Sequence, residues 1–364
     1  MVISRKKSYA PSHMKNSKLL IFLGAIVLLS IGYGLGARST GQQAPLKPLA
    51  QMLVAKPPYV KPAQAVRYEK PEPMKFLRVS RDPNHKIVSV DTATVRYEPI
   101  DGSDLKVDLI GAVHMADREY FANLNQAFQQ YERVLYELVA PPDTRPTKDR
   151  VPGTDPFSVL QASLPEMLAF SHQLDEVDYH APNLVHADLS FEDLREEARK
   201  RGETAFTLIA GMALDFLKVV QKMEEQQDQL KDVSVPGLLE MLTDPNAFRQ
   251  SFAETLALMD DEESIGGFTT LTPYIIEARN NAALAVLDQE IQAGRKKLAI
   301  FYGAAHLSDF EGKLLSEFGL KRTGVQWNKA WDLRKDVPTR SPFQQLGSIF
   351  RLFQNADSPQ RPTE

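Results

Sequence analysis

Hydrophobic and polar positions divide this chain into stretches of different period. Leu19 to Ala37 is apolar at almost every position. Arg38 to Pro83 has no period and is rich in Pro, Gln, Lys and Ala, with Pro57-Pro58, Pro62, Pro71 and Pro73. Regular alternation starts at Lys86 to Tyr97, where Ile87, Val88, Val90, Thr92, Thr94 and Val95 make a β-branched strand pattern. The turn pair Asp101-Gly102 and the apolar run Leu105 to Ile110 follow, so a hairpin opens the domain. Ala116 to Gln130 has helical spacing. Arg133 to Val139 reads as a third strand, ended by Pro141-Pro142.

Pro156 to Met259 is mostly helical in pattern. Phe191 to Lys200 is a helix with Ser190 as its cap and Asp193 three residues on. Ala205 to Gln229 carries an apolar stripe through Leu208, Ile209, Met212, Leu217, Val220 and Met223, the mark of a helical core or a cap over a cleft. Ile265-Gly266-Gly267 breaks the pattern. Thr272-Pro273 opens a helix to about Ala293, with Thr as N-cap and Pro at the first position. Lys297 to Tyr302 is a strand, Asp309 to Phe318 a helix and Leu320 to Trp327 a last strand. Strand–helix–strand order at both ends predicts an α/β (α+β) domain, its mixed sheet built from both ends of the domain around a large helical insertion. The expected layout is a cytoplasmic tail and transmembrane anchor at 1–40, a Pro-rich linker at 41–83, the folded domain at 84–335 with its insertion at about 156–260, and a tail at 336–364.

The apolar run at 19–37 is long enough to span a hydrocarbon core of about 30 Å. Arg5, Lys6, Lys7, Lys15 and Lys18 precede it, which keeps the N-terminus cytoplasmic and the rest of the chain extracytoplasmic, periplasmic or extracellular. A cleaved signal peptide, giving a secreted protein, is the rival reading; Leu35 is a poor residue three positions before a cut after Ala37. The linker cannot bury enough apolar surface to fold alone and reads as a tether. A net charge of −4 gives no basis for a nucleic-acid partner. The absence of cysteine excludes disulfides, thiolate metal sites and a cysteine nucleophile, so any metal must be held by His, Asp, Glu or backbone oxygen.

The candidate chemistry begins with a repeat. Gly111-Ala112-Val113-His114-Met115-Ala116-Asp117 is echoed by Gly303-Ala304-Ala305-His306-Leu307-Ser308-Asp309. Each copy lies between a predicted strand and a predicted helix, the edge at which open α/β sheets bind ligands. Gly111 and Gly303 allow sharp turns or close approach. The positive helix end favours neutral imidazole, able to bind a metal or take a proton. Ser308 with Glu311 reads as a capping box, and Asp117 and Asp309 as caps. Glu137 lies near the end of an apolar strand and needs a partner or a raised pKa; either suits a metal ligand, base or acid. Arg279 and Asn280 follow Ile276 on a helix burying Ala283, Leu287 and Ile291, so at least one points inward, to hold a carboxylate, an oxyanion or a structural ion pair. His186 and Asp188, beside a proline loop, are possible additional site residues. His13, His85 and His172 read as surface residues. There is no phosphate-binding Gly-rich loop, nucleophile elbow or His-Glu-x-x-His helix.

Ile-Gly-Ala-Val-His (110–114), Tyr-Glu-Leu (136–138), Ala-Arg-Asn (278–280) and Tyr-Gly-Ala-Ala-His-Leu (302–307), in this order and spacing, resemble the TraB/PrgY/GumN family, related to the Tiki proteases and more distantly to the erythromycin esterases. The resemblance covers about Lys86 to Trp327; Gly-Ala replaces the Gly-Thr of many relatives in the first motif. It implies an α/β core with a helical insertion and a divalent-metal-dependent hydrolase, a peptidase being the best-known type. His114, Glu137 and His306 carry over as metal and catalytic residues, with Arg279 and Asn280 beside them. The expected ion is Mn, Co or Zn, and the expected partner a peptide substrate or ligand. Two alternatives stay open: a pheromone-shutdown-like protein that binds a peptide without cutting it, and a metal-free hydrolase with His114 as base and Glu137 as orienter.

Overall fold

The computed structural model describes residues 72–146, 169–204, 244–259 and 272–337, with isolated positions between 207 and 215. The expected anchor at 19–37, most of the helix expected at 205–229 and the tail beyond Val337 lie outside the described residues. Among the described residues, no helix is long and apolar enough to cross a membrane.

The fold is α/β, built on a seven-stranded mixed sheet. Strands β1 (Leu77–Arg81), β2 (Ile87–Pro99) and β3 (Lys106–Ala112) are antiparallel neighbours. The sheet then turns parallel: β3 pairs with β8 (Lys297–Gly303), β8 with β5 (Arg133–Tyr136), and β5 with β7 (Leu184–His186). The long β9 (Leu320–Asp332) returns antiparallel to β2. Adjacent strands β3 and β8 lie almost 200 residues apart in sequence, so the two ends of the domain do form one sheet. A small second sheet pairs β4 (Met115–Ala116) with β6 (Ser171–His172).

The central strands are apolar at nearly every position because both faces are covered. In β8, Ala299 and Phe301 join one core, while Leu298, Ile300 and Tyr302 join the other. Helices α1 (Arg118–Phe128) and α4 (Pro245–Met259) cover the first face with Tyr120, Phe121, Leu124, Phe128, Phe248 and Phe252. Helices α5 (Arg279–Gln292) and α6 (Leu307–Ser316) cover the second with Ala283, Leu287, Leu307, Phe310 and Leu314. Two short helices complete the described part: α2 (Gln173–Glu176) and α3 (Phe191–Lys200). The capping box expected at α3 is present, with both Ser190–Asp193 bonds formed.

Several expectations are corrected. Part of the stretch expected to be linker up to residue 83 is strand, because Leu77–Arg81 pairs with β2 and Arg78 and Arg81 bond Asp91 and Glu254. The insertion, expected to be mostly helical, also carries short strands: it adds β6, and β7 extends the main sheet. No capping box forms at Ser308. Glu311 instead accepts bonds from Tyr97 and Arg322, and α6 starts at Leu307 without a side-chain cap. Asp117 stands at the N-cap of α1 but spends its oxygens on Arg249 and the Asp332 N–H. Asp309, inside α6, takes Asn280 and Lys313. Thr272 is helical in backbone and makes no side-chain cap; the segment Pro273–Ala278 is a π-helical lead into α5. His172 is buried, its Nδ1 accepting the Leu174 N–H as the N-cap of α2.

The motif glycines play different parts. A Cβ on Gly111 would lie 3.1 Å from Leu307 Cδ1 and 3.3 Å from the Ala93 carbonyl oxygen, so this glycine lets α6 and β2 pack against β3. Gly111→Ala is expected to cost about 1–3 kcal/mol by overpacking. Gly312→Ala, exposed in mid-α6 with nothing within 4 Å, is expected to add about 0.5–1 kcal/mol. Thermal melts of both variants should move in opposite directions; parallel shifts would refute the packing role of Gly111.

Candidate functional site

Four parallel strands end side by side, and each delivers a polar residue within three positions of its last one. His114 follows β3, Glu137 follows β5, Asp188 follows β7, and His306 ends the 3₁₀ turn after β8. This carboxyl edge of a parallel sheet is where ligands bind in open α/β folds, because side chains there are positioned without interrupting the ladder. The fifth contributor is the start of α5, where Arg279 and Asn280 are both buried. Adjacent helical residues point about 100° apart, and a buried stripe that wide admits both.

The motif repeat does not produce two identical settings. Pairing of β3 with β8 aligns Ala112, not Gly111, with Gly303. His306 sits at the N-cap of α6 and is almost fully buried; His114 is half-buried and leads into β4 instead of directly into a helix. Gly303 does belong to the site. Its N–H donates to Glu137 Oε2 at 2.7 Å, and a Cβ there would stand 3.3 Å from that oxygen.

Arg279 is the hub. Its Nε and Nη2 donate to the two oxygens of Asp188 at 2.9 and 2.7 Å, and Nη2 also donates to Glu137 Oε1 at 2.6 Å. Nη1 lies 3.5 Å from His306 Nε2. His306 Nε2 is also 3.6 Å from Glu137 Oε1. Two acceptors this close need a cation at hand, and the guanidinium supplies it. Burial pushes the Glu137 carboxyl up, but Arg279, His306, His114 and the Gly303 N–H together hold it well below the usual carboxylate range. Burial lowers His306 to about 4, against the attraction of Glu137 and with Arg279 reinforcing it. His306 is therefore neutral at neutral pH, for reasons of burial more than of the helix end.

Both imidazoles are held by an amide at Nδ1. Asn280 Nδ2 donates to the His306 carbonyl and to Asp309, so Asn280 Oδ1 faces His306 Nδ1 at 2.7 Å and accepts its proton. Gln173 Oε1 faces His114 Nδ1 at 3.2 Å, while Gln173 Nε2 donates to the Tyr179 hydroxyl. Neutral His306 thus presents an unprotonated Nε2, and His114 has the same kind of amide partner at Nδ1. The His114 segment is braced further by the Trp331 indole N–H, donated to the Met115 carbonyl; Trp331 stacks between Phe170 and Phe252.

The structure brings together His114, Glu137, His306, Arg279, Asn280, Asp188 and Gly303. It leaves out Gly111, a packing residue, and His186, whose Nε2 bonds the Leu138 carbonyl at 2.6 Å while its ring meets Tyr136. Sequence reading missed Gln173, which no motif or period marks, and Tyr302, whose hydroxyl donates to the Ala187 carbonyl and whose ring meets His306 edge-on. Tyr302 stands directly before Gly303 in the second motif, a signal that was available.

Two imidazoles and a carboxylate are donors of the right kind for a divalent ion, and a hydrogen-bonded Nδ1 is the usual support of a ligating histidine. Among the described residues, however, no three His, Asp or Glu side chains stand close enough to share one ion. Glu137 is turned to Arg279 and Gly303. No protein-family model matches this chain, no curated protein matches it, and no solved structure matches it. The fold and the site define an α/β protein with paired histidines and a buried Glu–Arg–Asp cluster at the carboxyl edge of its sheet.

Proposed function

We propose that this protein is a membrane-anchored hydrolase of peptide or related amide bonds, of the TraB/PrgY/GumN type, with its domain outside the cytoplasm. One observation carries the reading: residues from both motif copies and three intervening segments converge at one sheet edge, with two imidazoles, each held by an amide at Nδ1, beside a buried carboxylate. His114, the half-buried one of the two histidines, accepts a proton from an attacking water at Nε2. Glu137 keeps the local charge negative and stabilises the imidazolium so formed. Arg279, committed to Glu137 and Asp188, holds that carboxylate in place. A divalent ion such as Mn, Co or Zn would be held by His114, His306 and Glu137 only if these side chains drew together and Glu137 turned from Arg279; such an ion would lower the pKa of a bound water and polarise the substrate carbonyl.

A peptide-binding protein without turnover is the second reading, favoured by the full engagement of both Glu137 oxygens with Arg279 and Gly303. The test uses the full chain in detergent, its His114→Ala/His306→Ala variant and Glu137→Gln, with elemental analysis, a peptide library and mass spectrometry. Cleavage reduced about 100-fold or more in both variants is the expected result. Metal bound by the wild type and absent from the double variant supports the ion; turnover resistant to chelators assigns the chemistry to His114 alone. Peptide retained but recovered intact would replace the hydrolase with the binding protein.

A further inference from the structure

His114 and His306 come from motif copies that fold differently, yet each meets an amide oxygen at Nδ1. For His306 the amide comes from its neighbour in the family-like Ala-Arg-Asn segment; for His114 it comes from Gln173, in the inserted segment, 59 residues away. Gln173 is almost fully buried. Its backbone N–H donates to the His114 carbonyl at 2.8 Å, and its carbonyl accepts the Val177 N–H. Its side-chain Nε2 donates to Tyr179 at 2.9 Å. Tyr179 is itself buried, edge-on to Tyr136. Rotating the Gln173 amide would break bonds on both sides, in a place where water cannot replace them.

We propose that Gln173, backed by Tyr179, is a positioning residue that locks His114 in the tautomer protonated at Nδ1, making Nε2 the atom offered at the site. Gln173 and Asn280 are then a matched pair, one amide for each histidine. The inference rests on the reading of His114 as a working imidazole. The inserted segment also gains a task in the site, because α2, entered directly from β6, begins with the residue that orients His114.

The test is NMR of the full chain in detergent, labelled with ¹⁵N-histidine, at about pH 8, where an ordinary imidazole is neutral. Ring nitrogens with and without a proton resonate far apart, and the His114 signals are identified by their loss in His114→Gln. In the wild type, His114 should show a protonated Nδ1 and an unprotonated Nε2. In Gln173→Leu both signals should shift toward an intermediate position as the tautomers mix, while those of His306 stay in place and report an intact fold. Tyr179→Phe, which removes one oxygen, should give a smaller shift in the same direction, and it carries the test if Gln173→Leu does not fold. A wild-type His114 protonated at Nε2, or His114 signals unmoved in a folded variant, would overturn the proposal. No substrate or turnover enters this measurement, so its failure is separate from failure of the hydrolase reading.

Discussion

Replacing Arg279 with leucine is expected to destabilise the domain by about 3–5 kcal/mol, the usual loss when one partner of a buried ion pair is removed. The guanidinium serves Asp188 through two bonds and Glu137 through a third, and all three side chains are almost fully shielded. Without it, two carboxylates share a dry site with no cation. Folding would then require at least one to take up a proton, and the dependence of stability on pH near neutrality should steepen. Urea unfolding followed by tryptophan fluorescence is a suitable assay. Both tryptophans, Trp327 and Trp331, lie on β9, and Trp331 is buried. Adding Asp188→Asn should recover part of the loss, since it removes one orphaned charge. A shift below about 1 kcal/mol for Arg279→Leu would show that water reaches the cluster and that the pair is a surface-type bridge.

Acid is expected to destabilise the wild type well before ordinary carboxylate titration. His306 has its folded-state pKa lowered from 6.5 to about 4, burial being the largest cause. A base depressed in the folded state contributes stability that is complete above its unfolded pKa. That contribution disappears as pH falls from about 6.5 toward about 4, because the unfolded chain takes the proton first. A shift of this size is worth up to about 3 kcal/mol. Glu137 acts in the next window: its carboxyl is depressed, so its contribution is present above 4.5 and is lost below that as the folded form is forced to protonate. The groups coupled to His306 are Glu137, Arg279, Asp188 and His114. Denaturation midpoints measured between pH 7 and pH 4 should fall throughout. In His306→Asn the slope between about 6.5 and 4.5 should flatten. A wild-type stability level across that interval would mean that His306 carries a proton in the fold.

Much of this was legible in the sequence. The continuous apolar run Leu298 to Tyr302 announces a strand buried on both faces, and β8 contains it; Leu105 to Ile110, apolar apart from Lys106 and Asp108, is matched by β3 from Lys106 onward. Ser190 and Asp193 announce their helix start correctly, because a capping box is closed within four residues. Local signals failed where a side chain had a stronger distant partner. Glu311 leaves Ser308 for Tyr97, 214 positions away, and Asp117 leaves its helix for Arg249, 132 positions away. Leu77–Arg81 was hidden by the prolines before it, since five residues too few to show a period become a strand only when β2 offers a ladder.

The sequence by itself determined which residues are placed at the sheet edge. Period and motif position put His114 and His306 just beyond strand ends and Glu137 near the end of its own strand, and these depend on local backbone preference and on which faces must be covered. The tertiary structure alone decided what those residues are chemically. Arg279 meets Glu137 across 142 positions and Asp188 across 91, and Gln173 meets His114 across 59. Burial and these pairings lower His306, hold Glu137 ionised and orient both imidazoles. Charge state and tautomer depend on dielectric and on neighbours in space, and neither is a property of the chain before it folds.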